Sequence, residues 1–334
     1  MLAPPVYCST GRSRCDIARP LTPSDPALSR ILSGMGFLDT GTQELRERAT
    51  NQDPESRSME SALADVLACP ACGSPFQPAW SRELVCRDNG HRFPVADGIL
   101  HLAVESSSTD WKISEPARTS EAYARQYQDL DEAARYNAMY ASRASKRSTT
   151  RKEFRLIRRH IRSQPPCRTI LDLPCGGGRL SRAIAEAAPG ALVLEADVGL
   201  GQVRYARNHW VRQGRQAFLT ASGFHIPIRD GGVDAAVCCR LFHHLPSGAE
   251  QERLLSELIR VARRFVVLTF FDYYSVKNTL RRIRAPFNHK PPKITMKPDW
   301  LKETAAGLGA ELVSMPHLFY FFSGHRYALL RKSG

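Results

Sequence analysis

The stretch "LDLPCGGGRL", Leu171 to Leu180, decides how the chain folds. The apolar run "TILDL" that enters it reads as a short strand, and "LSRAIAEAA" that leaves it reads as an amphipathic helix. A strand that opens through glycines into a helix is a device for holding a nucleotide or a phosphate. Glycine lets the backbone approach a ligand closely and take positive φ, and the helix N-terminus offers unpaired N–H groups. The turn is not a dinucleotide fingerprint, because Pro174 and Cys175 come first and Gly176, Gly177 and Gly178 follow together. It is not a Walker loop either, since no Lys-Ser or Lys-Thr follows the glycines. Any tight strand–helix turn would be compatible with it, so the neighbouring segments carry the decision.

The next segment, "ALVLEADV", is a second apolar strand that ends in acids. Asp197 lies about 20 residues past Gly178, the spacing at which a carboxylate reaches ribose hydroxyls in a βαβ unit. Glu195 shares its strand face and competes with it. Asp197 is preferred because it ends the strand, where ligands bind in open α/β sheets. The helix "LGQVRYARNHWVRQG", the loop "ASGFHIP" and the turn "LFHHL" follow in order.

This order resembles the class I S-adenosylmethionine (SAM) methyltransferases of the type 11 kind, whose first motif has the form acid-x-Gly-x-Gly-x-Gly. Pro174 stands at the family's first glycine, and Ser222-Gly223 stands where the family often has Asp-Ala. The motifs cover Ile170 to about Phe271, and the likeness extends more loosely to Arg331. The resemblance implies a Rossmann-like seven-stranded α/β sheet. Its strands are expected near 169–173, 191–196, 216–221, 233–239 and 265–271, with a terminal pair near 310–314 and 325–331. It also implies SAM as cofactor, held by Asp172, Pro174, Cys175, Gly176, Gly178, Asp197, Ser222 and Gly223. An aromatic residue ahead of the glycine loop commonly covers the cofactor, and Tyr127 is the candidate. Tyr123, Tyr127, Tyr136 and Tyr140 form a helical stripe that core packing would equally produce. His243 and His244 follow the fourth strand, close to where a methyl group would point. Either imidazole can take a proton near neutral pH, so both are catalytic candidates. Asp272 and Tyr273 are secondary acceptor-site candidates.

Four residues have zinc spacing. Cys69-x2-Cys72 is followed by thirteen residues, Cys86, four residues and His91, a donor set that suits tetrahedral zinc. Residues 67–102 therefore read as a small zinc-ribbon-like β unit, short enough that the metal supplies much of its stability. His101 is a spare ligand. The segment resembles the ribbons that precede the methyltransferase domain in some large-subunit rRNA guanine methyltransferases, and the small zinc-ribbon activators of other methyltransferases.

The rest of the chain divides by composition. Residues 1–58, rich in Pro, Ser and Thr, read as a disordered and dispensable tail. Residues 112–165 read as a helical lid or linker, and 166–334 as the methyltransferase domain. The net charge is +14. Arg143 to Arg168 carries ten Lys/Arg against Glu153 alone, and Lys277 to Lys302 carries eight against Asp299 alone. Each run is either a solvated face or a surface for an anionic partner. No apolar run reaches the ~18–20 residues of a membrane span. Nine cysteines without a secretory h-region fit a cytoplasmic chain without disulfides. A small-molecule or lipid-like anionic acceptor is favoured, with peripheral contact to an anionic surface. An rRNA base is the alternative, and a non-catalytic SAM-binding scaffold is a third reading. The sequence leaves the oligomeric state open.

Overall fold

Strands alternate with helices from residue 169 onward, and the apolar runs among them become the centre of a ten-stranded sheet. The computed structural model describes residues 54–78, 82–103, 129–142, 144–210, 215–245, 247–287, 293–319 and 323–333. Residues 1–53 of the expected tail, together with Tyr123 and Tyr127, lie outside the described residues. Helix α1 (Pro54–Ala64) leads into the cysteine segment, whose strands are β1 (Glu83–Val85), β2 (Arg92–Ala96) and β3 (Ile99–His101). Two helices follow, α2 (Leu130–Ser142) and α3 (Ala144–Arg162). The alternating part runs β4 (Thr169–Asp172), α4 (Ser181–Ala187), β5 (Leu192–Asp197), α5 (Leu200–Trp210), β6 (Gln216–Thr220), β7 (Val233–Cys238), α6 (Gly248–Val261) and β8 (Ala262–Phe271). It closes with α7 (Val276–Arg284), α8 (Pro298–Gly307), β9 (Ala310–Ser314) and β10 (His325–Lys332).

The sheet order is β1-β2-β3-β6-β5-β4-β7-β8-β10-β9. Its seven C-terminal strands have the class I arrangement, with β10 antiparallel to both β8 and β9. Every residue of β5 and β7 is buried, as expected of central parallel strands covered on both faces. Apolar clusters fill both sides of the sheet: Leu171, Leu194 and Leu268 belong to one, and Ile157, Ile170 and Val267 to the other. β4 and β7 lie side by side and parallel, and the strand order reverses there, so a crevice opens at their carboxyl ends, where open α/β sheets bind ligands.

The cysteine segment is built into this sheet. Strand β3 runs parallel to β6, with Ile99 opposite Phe218 and His101 opposite Thr220. The β2–β3 turn places Asp97 at φ 52° and Gly98 at φ 64°, the positive-φ pair of a tight hairpin. Ala68 N–H donates to Pro227 O at 3.0 Å, and Arg229 N–H donates to Val66 O at 3.1 Å. Leu67, Phe76 and Leu84 are buried in the same cluster as Leu219 and Ile228. The sequence alone makes a metal the segment's main support. The structure adds a second support, a core shared with the large sheet.

Candidate active site

The three glycines that open the site differ in their surroundings. Gly176 sits at φ 55°, and a side chain there would stand in open space. Gly177 is pressed by α2, since a Cβ there would come within 2.0 Å of the Asn137 amide. A Cβ on Gly178, at φ 75°, would meet Trp210 Cδ1 at 2.3 Å. Trp210 Nε1 donates to Gly177 O at 3.0 Å, and Asn137 Nδ2 donates to Gln202 Oε1 at 3.3 Å. The loop is thus clamped by α2 and α5, leaving one glycine facing the crevice. Cys175 is buried beneath it, its N–H donating to Ala196 O at 2.8 Å. The peptide before Pro174 is cis.

The acids of β4 and β5 gather below the loop. Asp197 accepts the Gly176 N–H and the Gly199 N–H, each at 2.9 Å. Burial pushes its carboxyl up to about 6 against those bonds. Glu195 lies one pleat deeper, opposite Asp172 across the ladder, and burial pushes it up to about 7. Asp172 is fully buried, and its oxygens have no hydrogen-bond partner of ordinary geometry. Burial, then the neighbouring Glu195, pushes it well above the carboxylate range. An orphaned buried acid, an open positive-φ glycine and a carboxylate with lone pairs to spare fit a nucleoside-bearing cationic cofactor. Ser222 Oγ accepts the Phe224 N–H at 3.2 Å, which shapes the loop after β6, and Gly223 packs against Leu254 and Leu241.

Across the crevice the groups are imidazoles. His243 and His244 lie in the 3-10 turn Phe242–His244, with ring centroids 4.2 Å apart. His325, at the start of β10, was not among the sequence candidates. Its ring lies 6.1 Å from His243, and Phe271 packs 4.5 Å from His243 and 4.3 Å from His325. Burial lowers all three imidazoles, His243 to about 2, His244 to about 4 and His325 to about 3. Nδ1 of His243 and of His325 is buried without a partner. Asp272 is committed to structure, accepting the Tyr274 N–H at 2.9 Å and Arg326 Nε at 2.7 Å. Tyr273 is half-buried beneath the Arg282 guanidinium, 3.8 Å from the ring centre.

Glu153 ties the two halves together. It is fully buried in α3 and accepts from Arg179 of the glycine loop. It also accepts Arg240 Nε at 3.1 Å and the Tyr327 hydroxyl at 2.6 Å. Burial raises its carboxyl, and Arg179 and Arg240 outweigh that, holding it well below the ordinary range. Arg240 takes φ 66°, and its N–H donates to Thr269 Oγ1 at 2.7 Å just ahead of the histidine turn. Glu153 had one available sequence clue, as the single acid in a basic run. Asn137, Trp210 and His325 had none.

The metal candidates also converge. The ligand atoms of Cys69, Cys72, Cys86 and His91 lie within 4.8 Å of one another. Cys72 Sγ is 3.4 Å from Cys86 Sγ, and Cys69 Sγ is 3.5 Å from His91 Nδ1. Positive-φ turns at Gly73 and Gly90 close the two knuckles. Hydrogen bonds from Ser74 and Asn89 lower the Cys72 thiol to about 5, while burial raises Cys69 to about 12. Three thiols, two of them buried, and an imidazole at these separations suit a single tetrahedral zinc ion. His101 is part of β3 and stands outside the cluster.

Residues 170–264 match the family model of a methyltransferase domain. Residues 60–98 match that of Trm112p-like proteins, and a UPF0434 protein of Stutzerimonas stutzeri is 48% identical over 54 residues, 16% of this chain and 88% of that one. The chain unites a Trm112p-like segment with a methyltransferase domain. The demethylmenaquinone methyltransferase of Thermus thermophilus is 37% identical to it over 105 residues, 30% of this chain and 46% of the relative. The chain thus spans less than half the length of this curated methyltransferase. Among solved structures, the magnesium protoporphyrin IX methyltransferase of Synechocystis PCC 6803 with bound SAH superposes with a TM-score of 0.53 at 16% identity. That alignment covers 64% of this chain and 100% of the other, and it is a likeness of fold. The methyltransferase domain accordingly has the class I SAM-dependent methyltransferase fold.

Proposed function

We propose that the chain transfers a methyl group from SAM to a small or lipid-like acceptor bearing negative charge. The observation that carries this reading is the meeting of two unlike half-sites at the β4/β7 reversal: a glycine loop with Asp197 on one side, and neutral imidazoles with cationic neighbours on the other. The residues assigned to SAM are Asp172, Gly176, Gly178 and Asp197, with Pro174, Cys175, Ser222 and Gly223 along the same edge. Bound SAM supplies an electrophilic methyl group for in-line displacement. The chain's own residues align the acceptor and exclude water. His243 or His244 removes the acceptor proton where an oxygen is methylated. An anionic acceptor beside these imidazoles raises their affinity for that proton. Phe271, packed against His243 and His325, forms the apolar wall. A zinc ion held by Cys69, Cys72, Cys86 and His91 braces the Trm112p-like segment. Elemental analysis is expected to find about one zinc per chain, and a folded segment without metal overturns that assignment.

The test of the reaction is transfer of tritiated methyl from SAM into a fractionated cell extract. Label in the lipid or small-molecule pool is expected. Label in RNA alone transfers the chain to the rRNA reading, which the Trm112p-like segment and the basic α3 support. Absence of both label and SAM binding overturns the methyltransferase reading.

A further inference from the structure

Helix α7 is built inside out. At about 100° per residue, Val276, Leu280 and Ile283 share one face, and Phe287 continues that line past the helix end. On an ordinary surface helix this stripe faces the core. Here it faces outward, with Val276 57%, Leu280 45%, Ile283 63% and Phe287 89% exposed. The residue on the opposite face, Asn278, is buried at 1% exposure. Its Nδ2 donates to Asp272 O at 2.8 Å, so a polar contact anchors the helix to the body. Arg282 holds the same side through Tyr273 O at 2.7 Å. Lys277, Arg281 and Arg284 flank the apolar stripe and are exposed. From Tyr273 to Pro298 the sequence has seven Lys/Arg and no Asp or Glu. Tyr274, which precedes the N-cap Ser275, is 56% exposed.

We propose that α7 docks the chain on an anionic lipid bilayer, the apolar stripe entering the acyl boundary and the flanking cations meeting the headgroup charge. An exposed aliphatic face bordered by cations, with the exposed aromatics Tyr274 and Phe287 just before and just after the helix, is the composition of interfacial helices. RNA offers phosphate for the cations but no partner for Val276, Leu280 and Ile283. A second copy of this chain would bring the same cations against these ones. No helix among the described residues is long and apolar enough to cross a membrane, so the contact is peripheral. The same element borders Phe271 and Tyr273, which brings the acceptor half-site to the bilayer surface. This placement deepens the lipid-like acceptor reading, while the docking itself depends on α7 alone.

Flotation of the full chain with phosphatidylglycerol-rich and with phosphatidylcholine vesicles tests it. Binding is expected to the first at low salt and to be weak to the second. The combined variant Val276→Ser, Leu280→Ser, Ile283→Ser, Phe287→Ser should reduce partitioning about tenfold or more at an unchanged melting temperature. The variant Lys277→Gln, Arg284→Gln should weaken binding and flatten its salt dependence. Equal vesicle binding by wild type and the apolar variant overturns the proposal. So does RNA binding that the apolar variant leaves untouched when vesicle binding is absent, and so does a dimer that the apolar variant dissolves. Vesicle binding needs neither cofactor nor turnover, so its failure leaves the proposed reaction standing.

Discussion

Helix α3 buries Ile157 and Ile161 and turns Arg151, Arg155 and Arg159 outward, whereas α7 buries Asn278 and turns Val276, Leu280 and Ile283 outward. Both carry apolar residues at helical spacing inside a basic run. The partners they meet differ. The apolar face of α3 lies against the sheet, in one cluster with Ile170, Phe265 and Tyr327, and its single acid is consumed by Arg179, Arg240 and Tyr327. Helix α7 meets backbone carbonyls instead, and a polar side chain serves that contact better than an aliphatic one. A basic run therefore says little by itself. The direction of the apolar face separates a structural helix from a docking helix.

The largest effect that would break this contrast is at Glu153. Glu153→Gln leaves two partly buried guanidiniums short of a counter-charge and should cost about 3–5 kcal/mol, measured by urea unfolding at neutral pH. A loss below about 1 kcal/mol would mean that α3 is not anchored as described. A paired aliphatic comparison is sharper. Ile157→Ala should cost about 2–4 kcal/mol, because Ile157 is fully buried. Ile283→Ala should stay within about 0.5 kcal/mol, because Ile283 is exposed. Similar losses at both positions would erase the distinction between the helices.

The charges of α7 also reach inward, where pH separates the two half-sites. His325 is lowered first by burial, with Arg240, Lys277 and Arg281 adding to it. His243, His244 and His325 bind protons more weakly folded than unfolded, so they reduce stability as pH falls from about 6.5 toward 4. Asp197 and Glu195 bind protons more tightly folded than unfolded, so they reduce stability as pH rises from about 4 to 7. Melting temperature against pH should therefore respond in opposite senses. Glu195→Gln should gain on wild type toward pH 8, and His325→Phe should gain toward pH 5. The same sign for both variants would contradict the assignments. The smallest effect is at the rim. Arg281→Ser with Arg284→Ser should raise the acceptor KM about two- to fivefold at low salt and less at high salt. Arg282 is left in place because it holds Tyr273.

The sequence made the strands legible because buried parallel strands are continuous apolar runs between turns. The glycine loop, the acid ending β5 and the cysteine spacing were also readable, since each is local in sequence. The β3–β6 pairing that builds the Trm112p-like segment into the sheet joins residues far apart in the chain. Asn137 and Trp210, which close on the glycine loop, come from helices whose residues carry no pattern pointing to it. His325 reaches His243 only because β10 inserts beside β8. The inverted face of α7 was hidden because its apolar spacing is that of any amphipathic helix.

The central claim is that the loop at Gly176 and the carboxylate at Asp197 hold SAM. Calorimetric titration of SAM into wild type and Asp197→Ala tests it most directly. Micromolar binding to wild type, weakened about tenfold or more in the variant at an unchanged fold, is the predicted result. Undiminished affinity in Asp197→Ala, or no binding to wild type, would contradict it.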